Sequence, residues 1–329
     1  MKNIVVLGAG TGGTLIANML THHLDLTEWK ITVIDRAKLH VYQPGLLFIP
    51  FRLYGYNSVQ ALTKDISEPL PRNVDFVAAN IELIDHENKQ VKTDQGDYPY
   101  DFLVCSLGCG LAPEEVEGLE EALGKEGFTF YTMEHAQKLA DALDTMTEGK
   151  LVVDICNMPI KCPVAPVEFV FLADYYFHQK GIRDKVEITL VTPYSGAFTK
   201  PNANRVLTTI AAEKGIHIVP NFTASAVDTD AKRLSSFEGA SVDDIARAAG
   251  VSKATLYSYF PDKRLLFLEV AKAECRRAAD EAEALIGDDI PVAQALHLAG
   301  ERIVDFAQSD FGQRMFRMCV AESDRFPAL

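Results

Sequence analysis

The opening of the chain alternates short apolar runs with a helical pattern. Asn3–Leu7 and Lys30–Ile34 are apolar runs with the length of buried strands. Between them, Gly12–Leu24 carries apolar residues at the three- and four-residue spacing of a helix. This order predicts a β-α-β unit with two parallel strands, which is a building block of α/β folds.

The alternation continues through the first 236 residues and then stops. Later strands are predicted at Val74–Ile84, Gln90–Thr93, Tyr98–Ser106 and Lys150–Ile155, and a helix at Phe169–His178. From Ala240 the pattern is helical, with clear apolar spacing in Ala293–Ala307 and Gly312–Val320. The fold prediction is therefore a three-layer α/β amino-terminal part, Rossmann-like and incomplete, followed by an all-α helix-turn-helix and helical-bundle fragment.

A glycine-rich turn lies between the first predicted strand and the first predicted helix. It reads Gly8-x-Gly10-x-x-Gly13, and Asp35 follows 22 residues after Gly13, next to the second predicted strand. Glycines permit a tight turn and let backbone amides approach a pyrophosphate at the amino end of a helix. An acidic residue at this distance accepts hydrogen bonds from a ribose hydroxyl. The pattern predicts a dinucleotide site and leaves flavin and nicotinamide cofactors open.

Two later segments favour a flavin. Tyr100–Gly108 resembles the stretch that closes the first part of the flavin domain in flavoproteins with two dinucleotide domains, where Gly108 would let the backbone pass close to the flavin phosphates. A nicotinamide enzyme of this class would repeat the glycine fingerprint after Lys150–Ile155, but Cys156–Phe169 has prolines and a lysine instead. The same segment favours thiol chemistry, because Cys162 lies just ahead of a predicted helix amino end.

Several of these motifs together resemble one enzyme family. The stretches that carry the resemblance are Gly8–Gly13, Asp35, Tyr42–Gly45, Tyr100–Gly108, Cys162–Phe169, Val191–Pro193 and Lys200–Pro201. From Met1 to about Glu238 the chain is similar to the amino-terminal portion of sulfide:quinone oxidoreductases, which are flavoproteins related to the disulfide oxidoreductases.

The resemblance implies a cofactor, a catalytic thiol and two substrates. The residues that would bind FAD are Gly8, Gly10, Gly13, Asp35 and Gly108. Cys162 would be the catalytic residue, which in the family attacks the flavin or forms a disulfide and a persulfide with a second cysteine. Electrons from sulfide would then pass to quinone.

Departures from the family pattern predict an incomplete catalyst. Tyr131 stands where some members carry an additional cysteine. The family's second catalytic cysteine, its closing flavin motif and the segment that meets membrane quinone belong to a carboxyl-terminal half with no counterpart in this sequence. Cys275 and Cys319 are expected not to replace that cysteine, because they lie in helical sequence of another origin. Little or no sulfide-dependent quinone reduction is therefore expected.

The helical sequence after the junction carries a helix-turn-helix motif. Ser241 is a predicted helix cap with Asp244 in the capping-box position. A second helix is predicted to begin at Ser252 or Lys253. The stretch Phe237–Phe267 resembles the operator-binding domain of the tetracycline-repressor (TetR) family, in which this second helix enters the major groove of DNA.

That resemblance implies a set of DNA contacts. The candidate DNA-binding residues are Ser252, Thr255, Tyr257, Tyr259 and Lys263. Thr255, Tyr257 and Tyr259 would face outward to bases and backbone, and Lys263 would meet a phosphate. The alternative interpretation is that both tyrosines pack among the helices.

The two resemblances divide the chain. The predicted domains are residues 1–149 (FAD-binding), 150–236 (a second Rossmann-like domain without the glycine fingerprint), 237–277 (helix-turn-helix without its first helix) and 278–329 (a truncated ligand-binding and dimerisation region). The crossover is placed between Phe237 and Ala240, within the sequence Phe-Glu-Gly-Ala-Ser that suits both families. The chain is thus interpreted as a chimera of two truncated parents.

The distribution of charge along the chain limits which partners it is expected to bind. The 329 residues carry a formal net charge of −14, which argues against a chain-wide affinity for nucleic acid or anionic membrane. Residues 240–277, however, hold three Lys and four Arg against three Asp and two Glu, and this local charge of +2 permits DNA contact.

Cysteine spacing and hydropathy suggest an ordinary intracellular protein. The six cysteines match neither a disulfide framework nor a zinc site, and no metal site is predicted. Cys105, Cys109 and Cys156 are expected to be small buried hydrophobic residues. No run approaches the roughly 20 apolar residues of a membrane span, so the expected location is the cytoplasm.

Three functional hypotheses follow. The first is an FAD-dependent oxidoreductase of the sulfide:quinone type, truncated and joined to a repressor fragment. The second is a TetR-type DNA-binding regulator whose flavoprotein part is a passenger or a redox sensor. The third is a chain without function, whose exposed sheet edges and apolar faces favour aggregation. The sequence leaves the operator and the oligomeric state open.

Overall fold

The chain folds into two compact units, each with its own parallel sheet. The computed structural model describes residues 1–156, 158, 160–236, 250–260, 263–285, 291–309 and 312–313. The first unit consists of Met1–Pro113 and Ala122–Met146. The second consists of Glu114–Glu121 and the described residues from Thr147 onward.

Most elements before residue 146 belong to the first unit. The helices and strands are β1 (Lys2–Leu7), α1 (Thr11–His23), β2 (Trp29–Asp35), β3 (Leu39–Val41), β4 (Thr63–Asp65), β5 (Asp75–Ala78), β6 (Ile81–Asp85), β7 (Gln90–Thr93), β8 (Gly96–Pro99), β9 (Phe102–Cys105), α2 (Leu119–Ala122) and α3 (Met133–Thr145). Short 3-10 helices lie at Gln43–Leu47, Ile49–Phe51, Val59–Leu62 and Pro113–Glu115.

The sheet of the first unit is parallel, with strand order β5-β2-β1-β9. Ile4 of β1 lies opposite Ile31 of β2 on one side and Phe102 of β9 on the other. Because the strands run in one direction, the carboxyl ends of β1, β2 and β9 meet at the same edge of the sheet. Ligands of open α/β sheets bind at this edge.

Both faces of this sheet are covered, which gives three layers. Successive strand residues face opposite sides of a sheet. Val6 and Val33 are therefore buried in a cluster with Ala17 of α1, whereas Leu7 is buried in a second cluster with Val91 of the meander β6-β7-β8. The layers are helix, parallel sheet and antiparallel meander.

The segment predicted as one strand at Val74–Ile84 is two strands in two sheets. β5 extends the parallel sheet and β6 begins the meander. Asn80 lies between them, and its backbone N–H and side-chain amide donate to the two oxygens of Asp94 at 2.8 and 3.0 Å. This turn changes the direction of the chain, so the segment predicted as a strand is divided between two sheets.

The second unit begins with a smaller parallel sheet. Its elements are β10 (Gly149–Asp154), α4 (Ala165–Gln179), a 3-10 helix at Arg183–Lys185, β11 (Val186–Val191), α5 (Pro201–Glu213), β12 (Ile216–Val219), β13 (Ala224–Asp228) and β14 (Arg233–Ser236). The strand order is β10-β11-β12, with all pairings parallel, and β13 and β14 form an antiparallel hairpin.

Asp174 joins α4 to the connections on either side of β11. Its side chain is 1% exposed, and its oxygens accept hydrogen bonds from Arg183 Nε at 2.7 Å and from Lys214 Nζ at 2.8 Å. Arg183 also donates to the carbonyl oxygens of Val186, Lys214 and Gly215. Burial alone would raise the pKa of Asp174, but the hydrogen bonds from Lys214 and Arg183 outweigh it and hold the pKa below its usual value.

Helices make up the remainder of the described chain. They are α6 (Lys253–Tyr259), α7 (Lys263–Leu285) and α8 (Val292–Gln308), and α7 contacts α8. The predicted fold class, a three-layer α/β part followed by helices, is confirmed. The predicted crossover at Phe237–Ala240, the Ser241 cap and most of Gly312–Val320 lie outside the described residues. Among the described helices, none is both long and apolar enough to cross a membrane.

Candidate functional site

The glycine turn follows β1 at the carboxyl edge of the first sheet. Gly8 has a φ of +93°, a conformation that favours glycine, and a Cβ on it would collide with the carbonyl oxygen of Ser106. A Cβ on Gly13 would collide with the carbonyl oxygen of Gly8. Ser106 also donates its backbone N–H to the carbonyl oxygen of Leu7 at 2.8 Å. The first and third glycines are therefore required by close packing between β1, α1 and the residue after β9.

Gly10 differs from its two neighbours in the motif. It is exposed, it caps α1, and an added Cβ would meet no atom within 4 Å. No side chain caps this helix, and its first turn contains no acidic residue. The first N–H groups of α1 are thus available to an anion, and the space beside Gly10 is open to it. This arrangement suits the pyrophosphate of a dinucleotide.

Asp35 and His40 hold Ala9, the residue between the first two glycines. Asp35 Oδ2 accepts a hydrogen bond from the Ala9 N–H at 2.7 Å, and its Oδ1 accepts one from the Ala37 N–H at 2.8 Å. His40 Nδ1 lies 3.2 Å from the carbonyl oxygen of Ala9. An ionised carboxylate accepts about four hydrogen bonds, so Asp35 can still bind ribose hydroxyls.

Gly108 lies beyond β9 at the same edge of the sheet. Its φ is +74°, and an added Cβ would meet nothing within 4 Å.

The prediction that Cys105 and Cys109 are buried is wrong, because both are exposed. β9 is the last strand in the sheet order, so within the described residues one of its edges pairs with no strand, and Phe102 is also exposed on it.

Cys162 lies in the loop between β10 and α4. The helix begins at Ala165, whose N–H donates to the carbonyl oxygen of Cys162 at 3.2 Å, and Cys162 is exposed. The position just ahead of a helix amino end thus agrees with the expectation from sequence. Pro159, one of the prolines in this stretch, lies outside the described residues.

Asp154 is a buried carboxyl at the carboxyl end of β10. Within the described part of the chain, neither of its oxygens has a hydrogen-bond partner by distance and angle. The Cys156 thiol is near enough to interact with it, but thiols are weak donors. Burial therefore raises the pKa of Asp154 to about 6 and raises the pKa of the Cys156 thiol above its usual value.

Asp154→Asn is expected to remove a pH-dependent loss of stability. The pKa of this carboxyl is about 6 when folded and near 3.8 when unfolded, so between these pH values only the folded state keeps the proton. The free energy of unfolding of the natural chain should fall, relative to the variant, by about 2.4 kcal/mol between pH 4 and pH 7. Denaturant unfolding across this pH range measures the difference.

Asp184→Asn is the matched control, because Asp184 is exposed in the same unit. It should change the free energy of unfolding by less than about 0.5 kcal/mol at either pH. A constant difference between Asp154→Asn and the natural chain across the whole range would show that Asp154 ionises normally in the folded state.

Helix α6 carries most of the candidate DNA-binding residues. Ser252 caps the helix, and its Oγ accepts a hydrogen bond from the Thr255 N–H at 3.0 Å. Tyr257 and Tyr259 are 42% and 74% exposed, and Leu256 is buried. The outward orientation expected from sequence is therefore seen for both tyrosines. α7 begins at Lys263, whose side chain lies outside the described residues.

Comparison with known proteins connects these sites to two groups. Mitochondrial sulfide:quinone oxidoreductase of Dictyostelium discoideum is 28% identical over 231 residues, which are 69% of this chain and 50% of that protein. Sulfide-quinone reductase of Aquifex aeolicus is 28% identical over 239 residues, 70% of this chain and 53% of that protein. About two thirds of the chain is similar to sulfide:quinone oxidoreductases.

The solved sulfide:quinone oxidoreductase from Aquifex aeolicus supports the same fold. It matches with a TM-score of 0.59 and 24% identity, over 69% of this chain and 53% of that one. The chain spans about half the length of these relatives. The model of the family described as bacterial regulatory proteins, tetR family, matches residues 234–270. Both resemblances drawn from the sequence motifs are thereby confirmed.

Three groups in these units were absent from the sequence prediction. Asp154 is the last residue of β10 and lies inside an apolar run, between Val153 and Ile155, and a charged residue inside such a run is a usable signal of a buried carboxyl. His40 and Asp174 have no local signal. The Ala9 partner of His40 is 31 residues away along the chain, and the Arg183 and Lys214 partners of Asp174 are 9 and 40 residues away, so the fold brings them together.

Proposed function

We propose that the first unit binds FAD at the glycine turn and that the chain carries the chemistry of an FAD-dependent oxidoreductase of the sulfide:quinone type. The observation that carries the proposal is the uncapped amino end of α1 beside the open space at Gly10. The similarity to proteins named sulfide:quinone oxidoreductase supports the choice of FAD. Sulfide and quinone are the proposed substrates on the same ground.

The residues of this chain have distinct tasks in that proposal. Gly10 allows the backbone to approach the pyrophosphate, and the first N–H groups of α1 donate to its oxygens. Asp35 accepts hydrogen bonds from the ribose hydroxyls, and Gly108 lets the chain pass beside the phosphates. FAD, when bound, supplies the two-electron redox chemistry. Cys162 supplies an exposed sulfur nucleophile at the start of α4.

Titration with FAD tests the cofactor assignment directly. The purified chain is expected to quench flavin fluorescence saturably and to retain flavin absorbance after gel filtration. A chain that shows no flavin absorbance, even after incubation with excess FAD, would remove the proposal.

Cys162 is expected to be the most reactive thiol of the described chain. It is exposed in the loop just ahead of the amino end of α4, which attracts negative charge, whereas Cys275 lies inside a helix. Alkylation at pH 7 with peptide mapping should label Cys162 about tenfold faster than Cys275, which is exposed on α7. Cys156 is the internal control, because burial raises its pKa and should leave it nearly unlabelled. Equal rates at Cys162 and Cys275 would contradict the assignment.

A second function, DNA binding through α6, is favoured by one specific observation. Tyr257 and Tyr259 are exposed on a helix that lies inside the stretch matched by the tetR family model. A gel shift with a palindromic operator of the TetR type should show binding that weakens with salt. Tyr259→Ala should weaken it, whereas Tyr175→Ala, at an exposed position on α4, should not. No shift at low salt would exclude this function.

A further inference from the structure

The two peptide planes of the glycine turn are held by different side chains. The Gly8–Ala9 peptide is fixed at its N–H by Asp35, and its carbonyl lies 3.4 Å from Ser106 Oγ. The Ala9–Gly10 peptide is fixed at its carbonyl by His40 Nδ1, at 3.2 Å. Ala9 is 1% exposed, and the side chains that contact it are partly buried.

The chemistry of the contact sets the tautomer of His40. A carbonyl oxygen only accepts hydrogen bonds, so Nδ1 must carry the proton and donate it to the Ala9 oxygen. The C=O and N–H of a trans peptide point in opposite directions. A hydrogen bond from His40 to the Ala9 carbonyl therefore turns the Gly10 N–H away from His40. In the described part of the chain the Gly10 N–H has no hydrogen-bond partner.

We propose that His40 is a positioning residue for the dinucleotide site, which orients the Gly10 N–H toward the cofactor's pyrophosphate before it binds. This inference rests on the proposed function of FAD binding. Gly10 follows this peptide, and glycine places few restrictions on its own backbone angles. Without the hydrogen bond from His40, the plane of the Ala9–Gly10 peptide can therefore rotate. Binding would then have to order the peptide first, which lowers affinity.

The test compares two neutral replacements of similar size, His40→Asn and His40→Leu. The Asn side chain offers an N–H donor close to the position of Nδ1, and Leu offers none. FAD affinity is expected to fall about tenfold in His40→Leu and to stay within about threefold of the natural chain in His40→Asn. ADP, which contains the same pyrophosphate, should show the same pattern. Equal affinities for the two variants would overturn the proposal.

A second measurement uses the natural chain, so the proposal remains testable even if His40→Leu does not fold. Addition of ADP should shift the backbone amide resonance of Gly10 strongly. Shifts at other amides of α1 without one at Gly10 would overturn the role of His40. If ADP binds and FAD does not, the FAD assignment fails while the His40 inference stands. If neither ligand binds the natural chain, both proposals are wrong.

Discussion

Gly13→Ala is expected to destabilise the first unit, whereas Gly10→Ala should leave it folded and weaken FAD binding alone. A Cβ on Gly13 would collide with the carbonyl oxygen of Gly8, which is backbone and cannot rotate away. Such overpacking costs about 1–3 kcal/mol or more. A Cβ on Gly10 meets no protein atom, and its φ of −71° suits alanine, so stability should change by less than about 1 kcal/mol.

The same Cβ on Gly10 would occupy the space proposed for the pyrophosphate. FAD affinity should therefore fall more than about tenfold in Gly10→Ala, which corresponds to about 1.4 kcal/mol. Denaturant unfolding measures the first effect, and fluorescence titration measures the second. Full FAD affinity in Gly10→Ala would mean that the cofactor does not approach this turn. An unchanged unfolding midpoint in Gly13→Ala would contradict the tight packing of α1 against β1.

Asp174→Asn is expected to lower the free energy of unfolding of the second unit by about 3 kcal/mol at pH 7. The substitution leaves Arg183, which is only 14% exposed, without its carboxylate partner. The difference should shrink as the pH falls below about 3.8, because the pKa of Asp174 is held below that value and protonation then removes its charge from the natural chain as well. Denaturant unfolding at pH 7 and at pH 3 measures it.

Glu187→Gln is the matched control on the same sheet. Glu187 pairs with Lys150 at 3.0 Å, but these side chains are 42% and 72% exposed. Surface pairs of this kind contribute about 1 kcal/mol or less. If the two substitutions cost the same, the buried contacts of Asp174 do not determine the stability of the unit.

Periodicity located the first β-α-β unit well. Predicted Asn3–Leu7 and Gly12–Leu24 agree within a residue or so with β1 (Lys2–Leu7) and α1 (Thr11–His23). Both β1 and α1 bury a continuous apolar face against one cluster, so the local pattern and the tertiary contacts agree. The glycines of the turn were predictable for the same reason, since their roles depend on immediate neighbours in the β-α-β unit.

The 3-10 helices between β3 and β4 could not be predicted from the sequence. Leu47, Ile49 and Phe51 are buried there, but they follow no helical or strand period. Their conformation depends on packing against α3, which lies more than 80 residues further along the chain. These side chains are buried by contacts with a distant helix, so their spacing in the sequence has no regular period.

The first unit ends at Met146, before β10 begins at Gly149. During synthesis, every residue proposed to hold FAD is therefore made before the second sheet exists. At about 5–20 residues per second, the chain from Met146 to Ser236 takes roughly 5–20 s to translate. For this interval the nascent chain contains every residue of the proposed FAD site but not the whole of the second sheet.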